Sequence, residues 1–284
     1  MTKQKRVAAI HDISCFGKCS LTVALPILSA AGVETSVIPT AVLSTHTGGF
    51  TGFTYRDLTD DLLPVASHWK TLGLQFDALY SGFLGSFEQI EIIKQIFDMW
   101  KLSEVMILVD PVMADNGKLY DIFPDTFPAG MASLCTKADV IIPNITEACL
   151  MLGETYTDGP YTRKYIENLM EKLATLGPKK IVLTGVCFEK NRLGAGCYDA
   201  TTDMFHFTMA DRVEGYFHGT GDVFGSALLA GLMNGFDLAT STGIAVSFTA
   251  QAISRTYENG TDLRYGVDFE ESIPQFLKLL NIFD

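Results

Sequence analysis

The sequence predicts an α/β fold in which a doubly wound, mostly parallel sheet carries helices on both faces. Three observations predict it. Short, continuously apolar runs alternate with helical patterns, as strands covered on both sides require. Several of those runs stop at a polar residue: Asp12, Asp110, Asn144 and Thr184. Late in the chain, the glycine turn Gly219-Thr220-Gly221-Asp222 runs into a helix of small apolar residues. No internal repeat and no linker divides the 284 residues, so the expectation is one domain over 1–284 with a small flap around residues 40–57.

Each element follows from its pattern. Val7-Ala8-Ala9-Ile10 reads as a short buried strand ending at His11-Asp12. The apolar run Leu21 to Ala31 reads as a helix stopped by Gly32, with Pro26 kinking it or lying near its first turn. Thr35 to Thr40 is a second strand. The stretch Ser44 to Phe53 is too irregular for a core element and too rich in hydrogen-bonding side chains for a spacer, so it belongs to the flap. Ala78 to Phe83 is a strand, and Ser86 caps a helix whose Ile90, Ile93, Ile96 and Phe97 share an apolar face. Val105–Val109, Ala138–Ile142 and Ile181–Leu183 are fully apolar strands. Gly194–Tyr198 and Met204–Thr208 form an antiparallel hairpin at a sheet edge. The remainder is helical: Val223–Met233, Asp237–Tyr257 and Ile273–Leu280.

Composition narrows the function classes. With 48% hydrophobic residues and no low-complexity tract, the chain can bury a large core. Its 33 acidic against 21 basic residues give a net charge of −12, which argues against nucleic-acid and anionic-membrane partners. A polyphosphate would have to be held by backbone amides and metal ions. The six cysteines form no Cys-x-x-Cys pair and mostly lie in apolar runs, so they read as free, buried thiols rather than zinc ligands. The basic start Met1 to Arg6 is followed by only four apolar residues, too few for a signal-peptide core. No run reaches the length of a membrane span. The expected location is cytoplasmic.

In open parallel sheets ligands bind beyond the carboxyl ends of the strands. Those positions here hold Asp12, Asp110, Asp115, Asn144 and Thr184, joined by Asp222 at the late turn. Two acids on one loop, Asp110 and Asp115, suit Mg²⁺, which takes oxygen ligands and shares them with substrate phosphates. Asn144 and Glu147, three apart at a helix start, fit metal-bound water and phosphate. They fit equally an Asn-x-x-Glu cap, and spacing does not separate the two. The turn at Gly219 to Asp222 by itself reads first as an ordinary cap. Its bare amides and helix dipole would also cradle a phosphate, and Asp222 beside that anion would need a task such as taking a proton from a hydroxyl.

Taken together, five segments resemble the ribokinase-like superfamily, and within it the vitamin B6 kinases. They are Ser44-Thr45-His46-Thr47-Gly48, Ser81-Gly82-Phe83-Leu84-Gly85-Ser86, Asp110-Pro111-Val112-Met113, Pro143-Asn144-Ile145-Thr146-Glu147 and Gly219-Thr220-Gly221-Asp222. The last two mark the superfamily broadly; the first two are more specific to B6 kinases. The resemblance covers nearly the whole chain. It implies a ribokinase-like fold and ATP-dependent phosphorylation of the 5′-hydroxymethyl group of pyridoxal, pyridoxine or pyridoxamine, in pyridoxal 5′-phosphate salvage. It implies Asp222 as the base and Gly219, Thr220 and Gly221 as the anion hole. Asp110, Asp115, Asn144 and Glu147 would organise Mg²⁺, its waters and the ATP phosphates, with Asp110, Asp115 and Glu147 as the metal residues. K⁺ is also usual in such enzymes. Thr184 and the segment near Val213 would face the nucleotide. Asp12, Thr47 and Phe83 would face the ring, under a flap at 44–54. Relatives are usually homodimers.

Two positions depart from the B6-kinase pattern. Asp12 stands where serine is common and, ionised, can only accept hydrogen bonds, which is expected to change the preference among vitamers. Phe83 stands where tyrosine is common, keeping stacking but losing a hydroxyl. The alternatives are a hydroxymethylpyrimidine or sugar kinase of the same superfamily and, in another class, a non-catalytic B6 or nucleotide sensor. A dinucleotide-dependent oxidoreductase is disfavoured, because no G-x-G-x-x-G follows the first strand.

Overall fold

The structure, a computed structural model, describes residues 4–101 and 104–282, so Met1-Thr2-Lys3 of the basic start lie outside it. The chain divides into two compact units. Unit 1 comprises the chain up to Asp77 and from Arg212 onward; unit 2 is Ala78–Asp211.

Unit 1 begins with β1 (Arg6–Ser14), which is buried over nearly its whole length. Strand β1 therefore runs on through His11-Asp12 instead of ending there. Helix α1 (Leu21–Ala30) follows, with Pro26 well inside it, and Gly32 beyond its end has a positive φ of 79°. Strand β2 (Glu34–Leu43) is longer than its apolar core and pairs in parallel with β1. Their register steps between His11 and Ile13, so Asp12 sits at an irregularity that re-aims its side chain. The short β3 (Tyr55–Asp57) pairs antiparallel with the end of β2. Residues 44–54 are thus the connecting loop of a hairpin, and α2 (Thr59–Thr71) follows it.

Unit 2 opens with β4 (Ala78–Ser81), which leaves Phe83 beyond the strand. In α3 (Phe87–Trp100), Ser86 accepts the Gln89 N–H, and Ile90, Ile93, Ile96, Phe97 and Trp100 are all buried on one face. Each such side chain contributes about 1.5–3 kcal/mol on burial, several times the roughly 1 kcal/mol of the cap; packing, not capping, holds this helix. Strand β5 (Met106–Val109) stops at Asp110. Next come the two-residue strands β6 (Ala114–Asp115) and β7 (Lys118–Leu119), α4 (Phe127–Cys135), β8 (Val140–Ile141), α5 (Ile145–Leu152) and α6 (Arg163–Ala174). Strand β9 (Lys180–Val186) and the hairpin β10 (Arg192–Asp199) and β11 (Met204–Asp211) complete the unit. The strand order is β4-β5-β8-β9-β10-β11. Pairing is parallel as far as β9 and antiparallel for β10 and β11, as expected for the edge hairpin.

The chain then supplies the last helices of unit 1: α7 (Thr220–Met233), α8 (Leu238–Asn259) and α9 (Ile273–Leu279). Helix α7 is buried from Val223 to Met233, which explains its small-residue composition. At Gly231 a Cβ would stand 3.1 Å from the Ser241 Cα of α8, so these two helices meet backbone to backbone. All six cysteines are free thiols. Among the described residues, no helix is long and apolar enough to cross a membrane.

Candidate active site

In unit 1 the late turn is built around Gly219, the N-cap of α7, with φ 73°. A Cβ there would run into the Lys18 carbonyl oxygen, so glycine is required by both conformation and space. No side chain caps α7. Its leading N–H groups, from Thr220 and Gly221 onward, are therefore available to an anion, with the helix dipole behind them. Lys18 is itself fixed: its N–H donates to the Tyr265 carbonyl at 2.9 Å, and its ammonium pairs with Asp268 at 2.8 Å and Glu270 at 2.9 Å. A Cβ at Gly266 (φ 89°) would also crowd the Lys18 backbone, 2.8 Å from its carbonyl oxygen.

Asp222 is the third residue of α7 and is half-buried. Desolvation raises its pKa to about 7; the Ser20 N–H works against that rise, and the Asp12 charge adds to it. Asp12 is 4% exposed. Its Oδ1 accepts the Ser20 hydroxyl at 2.5 Å and its Oδ2 the Ser14 hydroxyl at 3.0 Å. Burial raises its pKa and the two hydroxyls oppose that rise. Asp12 and Asp222 lie in one unit, and the Asp12 charge is near enough to raise the Asp222 pKa.

The 44–54 loop is pinned by His46, which is 6% exposed. The Gly48 N–H donates to its Nδ1 at 3.1 Å, so its Nε2 carries the proton and donates to the Arg264 carbonyl at 2.6 Å. Burial lowers its pKa, and the ring is neutral. Thr47, next to it, is exposed, and Val213 is half-buried just before α7.

Unit 2 gathers the other acids. Asp110 is 6% exposed at the end of β5, and its N–H donates to the Ser81 carbonyl. Asp115 ends β6 and accepts the Asn116 N–H at 2.8 Å. Asn116 (φ 49°) and Gly117 (φ 75°) form the two-residue turn to β7, the backbone that Asn-Gly hairpins favour. The first turn of α5 clamps this hairpin. Glu147 Oε1 accepts the Met113 N–H at 3.1 Å, Asn144 Nδ2 donates to the Ala114 carbonyl at 2.8 Å, and the Gly117 N–H donates to Thr146 Oγ1 at 3.0 Å. The capping box is also complete: Asn144 Oδ1 accepts the Glu147 N–H at 2.9 Å, and Glu147 Oε2 accepts the Asn144 N–H at 2.8 Å. Both Glu147 oxygens are therefore engaged by backbone. Burial still pushes its pKa up, with the Asp115 charge adding to the rise. Thr184 lies inside β9, half-buried, and is bridged to Asn144. Phe83 packs on Phe123 with ring centroids 5.8 Å apart.

These carboxylates are the oxygen donors Mg²⁺ prefers. Among the described residues no three His, Cys, Asp or Glu side chains form a metal-holding group. Mg²⁺ does not need one, since it keeps waters and uses one or two carboxylates with substrate phosphates. Asp110 and Asp115 fit as its ligands; Glu147, held by backbone donors, fits better as the residue that fixes the hairpin. Sequence reasoning missed Ser14, Ser20 and Thr146, which carry no distinctive signal, and the Asn116-Gly117 turn, which does.

The glycine turn opening α7, with an acid at its third position in a predominantly parallel α/β scaffold, fits the ribokinase-like class of small-molecule kinases. The chain belongs to the phosphomethylpyrimidine kinase family, whose sequence profile matches residues 25–266. It is similar to a Bacteroides thetaiotaomicron "putative phosphomethylpyrimidine kinase" whose crystal structure was solved with pyridoxal. The two are 36% identical, with 96% of each chain covered and a TM-score of 0.91. The pyridoxal kinase of Lactobacillus plantarum is 30% identical over 98% of each chain, with a TM-score of 0.88. A Schizosaccharomyces pombe "putative pyridoxal kinase" is 28% identical over 244 residues, which are 81% of this chain and 74% of that one.

Proposed function

We infer that the protein transfers the terminal phosphoryl group of ATP to the 5′-hydroxymethyl group of a B6 vitamer, yielding a 5′-phosphate. The observation that carries this reading is Asp222: a carboxylate with a pKa raised to about 7, three residues into a helix whose start is left open to an anion. Such a group is about half ionised at pH 7, and its anion is basic enough to accept a proton as the hydroxyl oxygen bonds to phosphorus, help worth about 10²–10⁴-fold. The amides of Gly219, Thr220 and Gly221 would hold the transferring phosphoryl group, and phosphoryl transfer asks mainly for such positioning and charge neutralisation. Asp110 and Asp115 would hold Mg²⁺, which neutralises phosphate charge when bound, while Asn144 and Glu147 keep their loop in place. Thr184 and Val213 would face the nucleotide, and Asp12, Thr47 and Phe83 the ring. The 44–54 loop would close to exclude water. K⁺ dependence, a homodimer, a cytoplasmic location and a single working kinase domain belong to the same proposal.

The family's name favours one second reading, phosphorylation of a hydroxymethylpyrimidine. ADP release with ATP and each of pyridoxal, pyridoxine, pyridoxamine, hydroxymethylpyrimidine and ribose, with and without Mg²⁺, separates the two. The expected outcome is Mg²⁺-dependent turnover highest with a B6 vitamer. Turnover with hydroxymethylpyrimidine alone would replace the substrate, and none with any alcohol would leave a sensor.

A further inference from the structure

Ser20, at the start of α1, has an unusual backbone for a serine. Its φ of 55° and ψ of −128° lie where side-chain-bearing residues rarely go, and such a conformation persists only when its surroundings over-determine it. Ser20 is 6% exposed and its backbone forms an isolated bridge with Ile13, the neighbour of Asp12. That geometry sends its two donors in different directions. The hydroxyl reaches Asp12 Oδ1 at 2.5 Å, while the backbone N–H favours the Asp222 anion from a segment whose Lys18 carbonyl and Cys19 thiol lie against Gly219 at the start of α7. One residue therefore brackets two acids.

We propose that Ser20 is a positioning residue that ties the charge of Asp12 to the proton affinity of Asp222. The proposal rests on Asp222 as the base and extends it to the residues that set its state. A hydroxyl donated to a carboxylate favours the anion. The Asp12 anion in turn disfavours a second anion at Asp222, so it keeps that group basic. The groups facing Asp222 are Asp12 from β1 and Cys19 from the loop before α1, besides the opening amides of α7. Those facing Asp12 are Ser14, Ser20, Cys19, His46 from the 44–54 loop and Tyr55 from β3. Cys19 is held as a neutral thiol by burial and both carboxylates, and His46 is a neutral ring, so neither cancels the Asp12 charge. Without the Ser20 hydroxyl, Asp12 keeps its proton to higher pH, and its repulsion of Asp222 fades.

The test is a carboxyl-carbon NMR titration of Asp222 in the full chain, beside the pH profile of kcat/KM for the vitamer. The variants are Ser20→Ala, Asp12→Asn, the double variant and Ser20→Asn. Ser20→Ala and Asp12→Asn should each move the Asp222 midpoint to lower pH, by about one unit or tenfold in proton affinity. The double variant should match Asp12→Asn alone, because Ser20 acts through Asp12. Ser20→Asn, which keeps a side-chain donor, should return the midpoint toward wild type. Ser20→Gly removes the hydroxyl and relieves the backbone, so it stands in if Ser20→Ala does not fold. An unmoved midpoint in the hydroxyl-less variants, or a shift that adds fully to that of Asp12→Asn, overturns the proposal. A midpoint that moves while the acid limb of kcat/KM stays put supports the coupling and removes Asp222 as the base.

Discussion

Helix α5 of unit 2 and helix α7 of unit 1 each carry an acid as the third residue, Glu147 and Asp222. Their surroundings send them to different work. Glu147 follows an Asn144 cap, reaches back to that residue's N–H and also holds Met113, so both of its oxygens serve the backbone. Asp222 follows Gly219, a cap with no side chain, and the N–H that opposes its raised pKa comes from Ser20, outside its own helix. Burial raises the pKa of both. A carboxylate fully used in architecture is a poor candidate for chemistry; one left half-buried above open amides is a good one. The capping residue three positions earlier decides which is which.

The comparison can be broken most sharply at Asp222. Asp222→Asn should cut kcat by about 10²–10⁴-fold with little change in the Kd for ATP, read by steady-state kinetics and calorimetry. Wild-type kcat/KM should fall below an acid limb near pH 7, where Asp222 takes up its proton. The sign for stability runs the other way. A carboxylate whose folded pKa is raised favours the folded state at low pH, and that contribution is lost as pH rises from about 4 to about 7. The Asn variant should therefore show a flatter urea midpoint over this range and be no less stable than wild type at pH 8.

Gly219→Ala tests whether the empty cap itself matters. A methyl at φ 73° meets the Lys18 carbonyl, so the turn must move. A misplacement of about 1 Å costs roughly 10²-fold in rate, and kcat should drop accordingly while the left-handed strain lowers stability by about 1–2 kcal/mol. Glu147→Gln should give the smallest effect and the opposite kind. Its amide nitrogen would confront a backbone N–H, leaving a buried donor unsatisfied at a cost of about 1–3 kcal/mol, visible in a denaturant melt. Any loss of turnover should track the displaced 113–117 hairpin as a raised KM for Mg·ATP more than a lowered kcat. A Glu147→Gln protein with wild-type stability would undo the contrast between the two acids.

The parallel strands were readable because burial on both faces leaves uninterrupted apolar runs, and the late turn because only glycine makes such a bend. Other features were hidden for physical reasons. Polarity at His11-Asp12 looks like the end of a strand, yet β1 continues to Ser14, because Ser14 and Ser20 satisfy the buried Asp12. Thr184 was likewise read as a strand end and lies within β9. The strand β3 has three exposed residues and no apolar pattern to betray it. Asn144 and Glu147 were legible as a pair that fits a phosphate site and a cap equally; the hydrogen bonds show the cap. Strands β6 and β7 are too short to show periodicity, although Asn116-Gly117 between them is a hairpin signal. Nothing in a sequence announces a serine at positive φ, so the bracket at Ser20 needed coordinates.

Lys18 gives the C-terminal region a stake in events far upstream of it. Its main chain is wedged between two glycines from distant segments, Gly219 and Gly266, and its ammonium is moored to Asp268 and Glu270. A deletion that began after Asn259 would spare every residue of α7, yet it would cast off that mooring and slacken the seat on which Gly219 rests. In this chain the tail is part of the floor.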